Sequence, residues 1–138
     1  MKKGYFYYKA IMKGDYNWTT DDPEILKIAN KYRYTVAHWL AWNSNTTGWS
    51  TNDPEILKIT DNFGITVAQE LAYHSFITNW STDDPEILKL ADEHGYTIAH
   101  CLAYHSYETN WTTNNPEILK LVDKFKRTVK SILDHNKV

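Results

Sequence analysis

The string Trp80-Ser-Thr-Asp-Asp-Pro-Glu-Ile-Leu-Lys89 and its three near copies constrain this chain more than anything else in it. Pro23, Pro54, Pro85 and Pro116 stand 31 residues apart. Trp18, Trp49, Trp80 and Trp111 keep the same step, and so do Thr35, Thr66, Thr97 and Thr128. A fixed period of this size marks a stack of repeats, each too small to bury its own apolar face. The 138 residues are therefore expected to form one domain: an N-terminal cap at 1–17, repeats at 18–48, 49–79 and 80–110, and a C-terminal capping repeat at 111–138.

Within a repeat the pattern is helical throughout. Asp or Asn before Pro is a helix start, because the side chain accepts from free backbone N–H groups and Pro needs no donor in the first turn. Asp21 with Glu24 has capping-box spacing, repeated at Asn52/Glu55, Asp83/Glu86 and Asn114/Glu117. Ile25, Leu26, Ile28 and Ala29 give a short helix its apolar stripe, and Gly64 and Gly95 stand where a C-terminal glycine belongs. Thr35 and its equivalents are expected to cap a second helix, whose apolar face is Val36, Ala37, Leu40 and Ala41. In the last copy Lys130 and Asp134 replace both alanines, as suits a capping repeat. A loop of about seven residues then leads to the next Trp. The expected fold class is all-α, a solenoid of helix–loop–helix repeats with degenerate caps.

Gly64-Ile-Thr-Val-Ala-Gln-Glu-Leu-Ala72 and Gly95-Tyr-Thr-Ile-Ala-His-Cys-Leu-Ala103 resemble the ankyrin-repeat signature Gly-x-Thr-Pro-Leu-His-x-Ala-Ala. Gly95, Thr97, His100 and Ala103 match it, with Thr35 and His38 in the first copy. The resemblance implies an α-solenoid in which Thr caps a helix, His hydrogen-bonds across the turn, and a concave surface binds proteins. Val36 and Ile98 stand where ankyrin has Pro, and Gln69 and Ser131 where it has His. The segment before each Thr is short for the ankyrin β-hairpin finger.

Charge is uneven along the chain. Segment 80–110 holds six acids against one Lys, and 49–79 four against one, whereas both ends are basic. An acidic middle argues against a nucleic-acid groove along the stack and suits a partner with a basic surface. No apolar run is long enough to span a membrane, and Met1-Lys-Lys-Gly-Tyr has no apolar core of a secretory signal. One cysteine cannot staple a fold, so an intracellular, cytoplasmic setting is expected. Of the sequons at Asn17, Asn45, Asn79 and Asn110, the three that precede Trp fall out of the repeat as turn residues, and glycosylation is not expected at any of the four.

Candidate chemistry is sparse. His38 and His100 share a repeat position and are expected to be structural hydrogen bonders. Cys101 and His105 lie one helical turn apart but have no further ligand or oriented base, so no metal, no cofactor and no catalytic residue is expected. The repeated Trp belongs to the core. Positions that differ between copies are not fixed by packing, and these supply the expected partner-binding residues: Trp39, Trp42, Glu70, Tyr73, Phe76, Ile77, Tyr96, Tyr104, Tyr107 and Glu108, with Tyr34, Ile65 and Cys101 at related positions. The first expectation is a protein-binding module, an inhibitor or adaptor of microbial or phage type, not an enzyme, with pairing of two chains through exposed aromatics left open. The alternative is a nucleotide-like small ligand held by Tyr73, His74, Tyr104 and His105.

Overall fold

The computed structural model describes residues 18–137. The expected N-terminal cap, 1–17, lies outside them. Among the described residues the protein is all-α, a run of short helices repeating with the 31-residue period and packing against their neighbours. The described residues fall into two compact units, divided after Leu71.

The first unit holds α1 (Pro23–Leu26), α2 (Val36–Trp42), α3 (Ser44–Thr47), α4 (Pro54–Leu57) and most of α5 (Val67–Tyr73). The second holds α6 (Ser75–Thr78), α7 (Pro85–Leu88), α8 (Ile98–Tyr104), α9 (Ser106–Thr109), α10 (Pro116–Leu119) and α11 (Val129–Asn136). Each full repeat thus carries three helical pieces, one more than expected. The extra piece forms in the segment before Trp. It ends at Gly48, Asn79 or Asn110, whose left-handed φ angles of 75°, 63° and 64° suit Gly and Asn. The hydroxyls of Thr47, Thr78 and Thr109 then accept the N–H of the following Trp at 3.0, 3.1 and 3.1 Å.

The Pro helices are single turns. Their cap is the second acidic or amide residue, Asp22, Asp53, Asp84 or Asn115, which accepts from the N–H of the Glu two residues on. The capping boxes expected from Asp21, Asn52, Asp83 and Asn114 do not form, because Pro at the first helical position leaves Glu only two places from the cap. Ile28 and Ala29 lie beyond the helix: Ile28 C=O accepts from Val36 N–H at 2.9 Å, and Ala29 bridges Thr35. Capping boxes appear instead at Thr35/His38, Thr97/His100 and Thr128/Ser131. Thr66 and Gln69 make the same two bonds, at 2.6 and 3.0 Å. Each such cap contributes about 1 kcal/mol.

Between the Pro helix and the capping Thr the chain makes a tight turn closed by one antiparallel bridge, at Ala29–Thr35, Thr60–Thr66, Ala91–Thr97 and Val122–Thr128. The segment is therefore long enough for a minimal hairpin. Asn30, Asp61, Asp92 or Asp123 organises it by accepting two amides through one side-chain oxygen. Successive turns are joined through the main chain: Asn62 N–H donates to Tyr32 C=O at 2.8 Å, and Lys124 N–H to His94 C=O at 2.7 Å.

In the first unit the core is Leu26, Val36, Ala37, Leu40, Ala41, Trp49, Ile56, Leu57, Val67 and Ala68, all buried. The second unit repeats it with Trp80, Ile87, Leu88, Ile98, Ala99, Leu102, Ala103, Trp111, Ile118, Val129 and Leu133. Full burial of each large aliphatic side chain is worth about 1.5–3 kcal/mol. Trp49 also reaches back through Nε1 to the carbonyl of Thr20 at 2.9 Å. No helix among the described residues is long and apolar enough to cross a membrane.

Candidate interaction surface

Among the described residues, the second unit presents the larger group of solvent-facing apolar side chains. Tyr73 and Tyr104 end α5 and α8 and are 57% and 62% exposed. The short helices that follow, α6 and α9, lie against each other and expose Phe76, Ile77 and Tyr107, the last at 71%. Ring contacts tie the group together. Phe76 stacks on His105 at 5.0 Å, and Tyr104 meets the same imidazole edge-on at 5.2 Å. Glu108 is exposed beside Tyr107. Trp42, at the matching position of the first unit, is 52% exposed.

Why these rings face water follows from the repeat. The apolar face of α8 is filled by Ile98, Ala99, Leu102 and Ala103, so the helix rotation turns Tyr104 outward. In α9, Ser106 takes the buried position, and Tyr107 and Glu108 follow on the outer side. Nothing in the core needs these aromatic groups, which separates them from Trp49, Trp80 and Trp111.

Two expected contact residues are corrected. Trp39 is buried, with 8% of its surface accessible, and Glu70 is equally buried. Both are therefore enclosed within the repeat stack rather than presented on its surface. Tyr96 is half-buried. Its ring stacks on His100 at 5.5 Å and lies under the Arg127 guanidinium at 5.7 Å, and burial raises its hydroxyl pKa. The Tyr34 ring stacks in the same way on His38, at 5.1 Å. Ile65 is half-buried.

The histidines at the signature position are structural. Nδ1 of His38 accepts from Thr35 N–H at 3.1 Å, so the ring proton sits on Nε2 and is donated to Ile65 C=O at 2.9 Å. His100 repeats this with Thr97 and Arg127. Burial keeps the His38 pKa below its ordinary value, so the ring is neutral. One nitrogen atom or oxygen atom from each of His38, Asp61 and Glu70 lies within 4.8 Å of the other two, the one such cluster among the described residues. Both ring nitrogens of His38 are already bonded, which leaves two carboxyls for a cation.

Cys101 is half-buried, and burial pushes its thiol up to about 12, the reverse of what a nucleophile needs. Of the expected Tyr73–His74–Tyr104–His105 ligand edge, His74 is buried, while His105 is half-buried between the Phe76 and Tyr104 rings. A concavity of the second unit lies elsewhere, between Ser106, Asn110, Trp111 and Thr112 and the end of α11 at Leu133, Asn136 and Lys137.

Sequence reasoning missed a second set of exposed rings at the turn tips. Tyr32 and Phe63 in the first unit are 48% and 78% exposed; in the second, Phe125 is 65% exposed and packs near the exposed His94. The signal was present as a ring at every 31-residue step, Tyr32, Phe63, His94 and Phe125. Comparison with protein-family models and with curated proteins finds no match to this chain.

Proposed function

We propose that the chain is a protein-binding module of ankyrin-like helical repeats, without catalytic activity, that engages a basic partner surface in the cell interior as an inhibitor or adaptor. The observation that supports it best is the ring group Tyr104–His105–Phe76 with Ile77 and Tyr107, drawn from the two segments where acids outnumber lysine, four to one at 49–79 and six to one at 80–110. Exposed aromatics that no core requires are the usual anchors of an interface, and the surrounding carboxylates accelerate encounter with a basic patch. Matching structural use of Thr97 and His100 supports the ankyrin-like reading, and the one-bridge turns stand in for its finger.

The test is a quantitative pull-down from the source cells with wild-type protein beside a Phe76→Ala/Tyr107→Ala variant. A specific partner is expected, captured less well as salt rises and lost in the variant. Capture that is equal for both proteins, or no specific capture, overturns the proposal.

A further inference from the structure

The two units solve one electrostatic problem in different ways. In the second, the carboxylate of Asp123 at the turn is covered by its neighbour's guanidinium: Arg127 Nε donates to Oδ2 at 2.7 Å. The equivalent of Asp123 in the first unit is Asp61, and the equivalent of Arg127 is Ile65. Asp61 therefore has no guanidinium. It faces a second carboxyl, that of Glu70 on α5, within 4.8 Å. The other groups around the pair are Tyr34, whose hydroxyl donates to Glu70 Oε2 at 3.3 Å, and His38, whose ring is neutral. Among the described residues no Lys or Arg pairs with either acid.

We propose that the junction between the two repeats of the first unit is held by a proton, with Glu70 seated as a neutral carboxylic acid beside Asp61, and that ionising Glu70 loosens this junction. Two carboxylates without a cation cannot both be charged in a buried site, and one of them keeps its proton. Asp61 Oδ1 accepts the amides of Phe63 and Ile65, at 2.8 and 3.0 Å, which is how a carboxylate is stabilised. Glu70 receives only the Tyr34 hydroxyl and is buried at the packed end of that ring. Burial raises its pKa to about 8, the Tyr34 hydrogen bond opposes the rise, and the Asp61 charge adds to it.

The sign follows from linkage. A group whose pKa is higher in the folded than in the unfolded chain contributes stability below its unfolded value, and this is lost as pH rises to the folded one. For Glu70 the loss runs from about pH 4.5 to about pH 8. The neutral histidines pull the other way, but only below their ordinary value of 6.5. Between about pH 6.5 and 8.5 Glu70 has the largest effect on the curve, because the buried Cys101 thiol begins to weigh only as pH nears its ordinary value of 9.0.

The experiment is a pair of measurements on the full chain. The first follows the side-chain carboxyl carbon of Glu70 by NMR through a pH titration of the wild type, with and without a chelator. A midpoint near 8, unchanged by the chelator, is expected; a midpoint in the ordinary carboxylate range, or one that moves with the chelator, overturns the proposal. The second compares melting temperatures. Wild type is expected to lose several degrees between pH 6.5 and 8.5 while Glu70→Gln stays flat. Ile65→Arg, which imports the Arg127 solution, is expected to move the fall to lower pH. A wild-type curve that is flat in this window overturns the proposal as well.

Discussion

His100 donates from Nε2 to the main-chain carbonyl of Arg127, 2.9 Å away in the next repeat, while its Nδ1 accepts the Thr97 amide. One buried ring thereby closes the start of its own helix and fastens the following turn. Replacing His100 with Ala removes both bonds and opens a cavity, and about 3 kcal/mol of stability should be lost. His100→Gln should cost only about 1 kcal/mol, because Gln69 already performs the capping half of this task in another copy. Urea denaturation of the two variants checks the order.

The turn tips carry strain that the sequence itself shows how to relieve. Arg33 and Lys126 hold φ angles of 61° and 65° at the position where Gly64 and Gly95 stand in the other copies. Arg33→Gly and Lys126→Gly should each raise stability by about 0.5–1 kcal/mol. Gly95→Ala should lower it by a similar amount, since its φ is +72° and a Cβ would also meet the Asp123 backbone at 3.4 Å. Thermal melting distinguishes the gains from the loss.

Cys101 should be inert in the folded protein. Its thiol is raised to about 12 by burial, so the thiolate at pH 8 is scarce. Alkylation should run two to three orders of magnitude slower than in urea. Iodoacetamide labelling read by mass spectrometry reports both rates. Fast labelling of the native protein would show that the thiol is not held in its apolar seat.

Acid should act on the second unit through Asp123. Burial pushes its carboxyl up, but the Arg127 and Phe125 amides and the Arg127 guanidinium together outweigh this and hold it below its usual 3.8. The stability it contributes is present above that value and is lost as pH falls below it. Asp123→Asn should therefore be less stable than wild type at pH 7, with the gap closing toward pH 2. Tryptophan fluorescence during acid titration follows it.

Exposed and buried rings should separate cleanly under mutation. Tyr104→Ser and Tyr107→Ser should change stability by less than about 0.5 kcal/mol. Trp111→Ala, by contrast, should cost about 3–5 kcal/mol. If the two tyrosines proved as costly as Trp111, they would belong to the core and not to a contact surface.

What the sequence disclosed was set by period. Four copies of Trp, Pro and Thr at a constant step gave the repeat, the helix starts and the core Trp, because these positions answer to packing that recurs in every copy. The third helical piece was hidden, since Ser44-Asn-Thr-Thr47 and Ser75-Phe-Ile-Thr78 share little beyond their first and last residues, and one turn of helix has no periodicity to detect. Trp39 and Glu70 were misplaced for a related reason. Difference between copies was taken as a mark of freedom, but a side chain at a repeat junction meets a different neighbour each time. Glu70 answers to Asp61 and Tyr34; its counterpart Cys101 sits near Tyr96. The outer rings at Tyr104 and Tyr107 were legible because the helix face they avoid was already full.

The turn tips are joined by main-chain hydrogen bonds, Asn62 N–H to Tyr32 C=O in one unit and Lys124 N–H to His94 C=O in the other, and by the buried rings of His38 and His100 beneath them. These bonds come from the main chain and from buried rings, not from the side chains at 32, 63, 94 and 125. Such positions form an alphabet that can be rewritten while the page keeps its ruling. A library randomised at these four sites would present any chosen chemistry at a fixed pitch within each unit, and lineages of this chain could change what they touch without having to relearn how to fold.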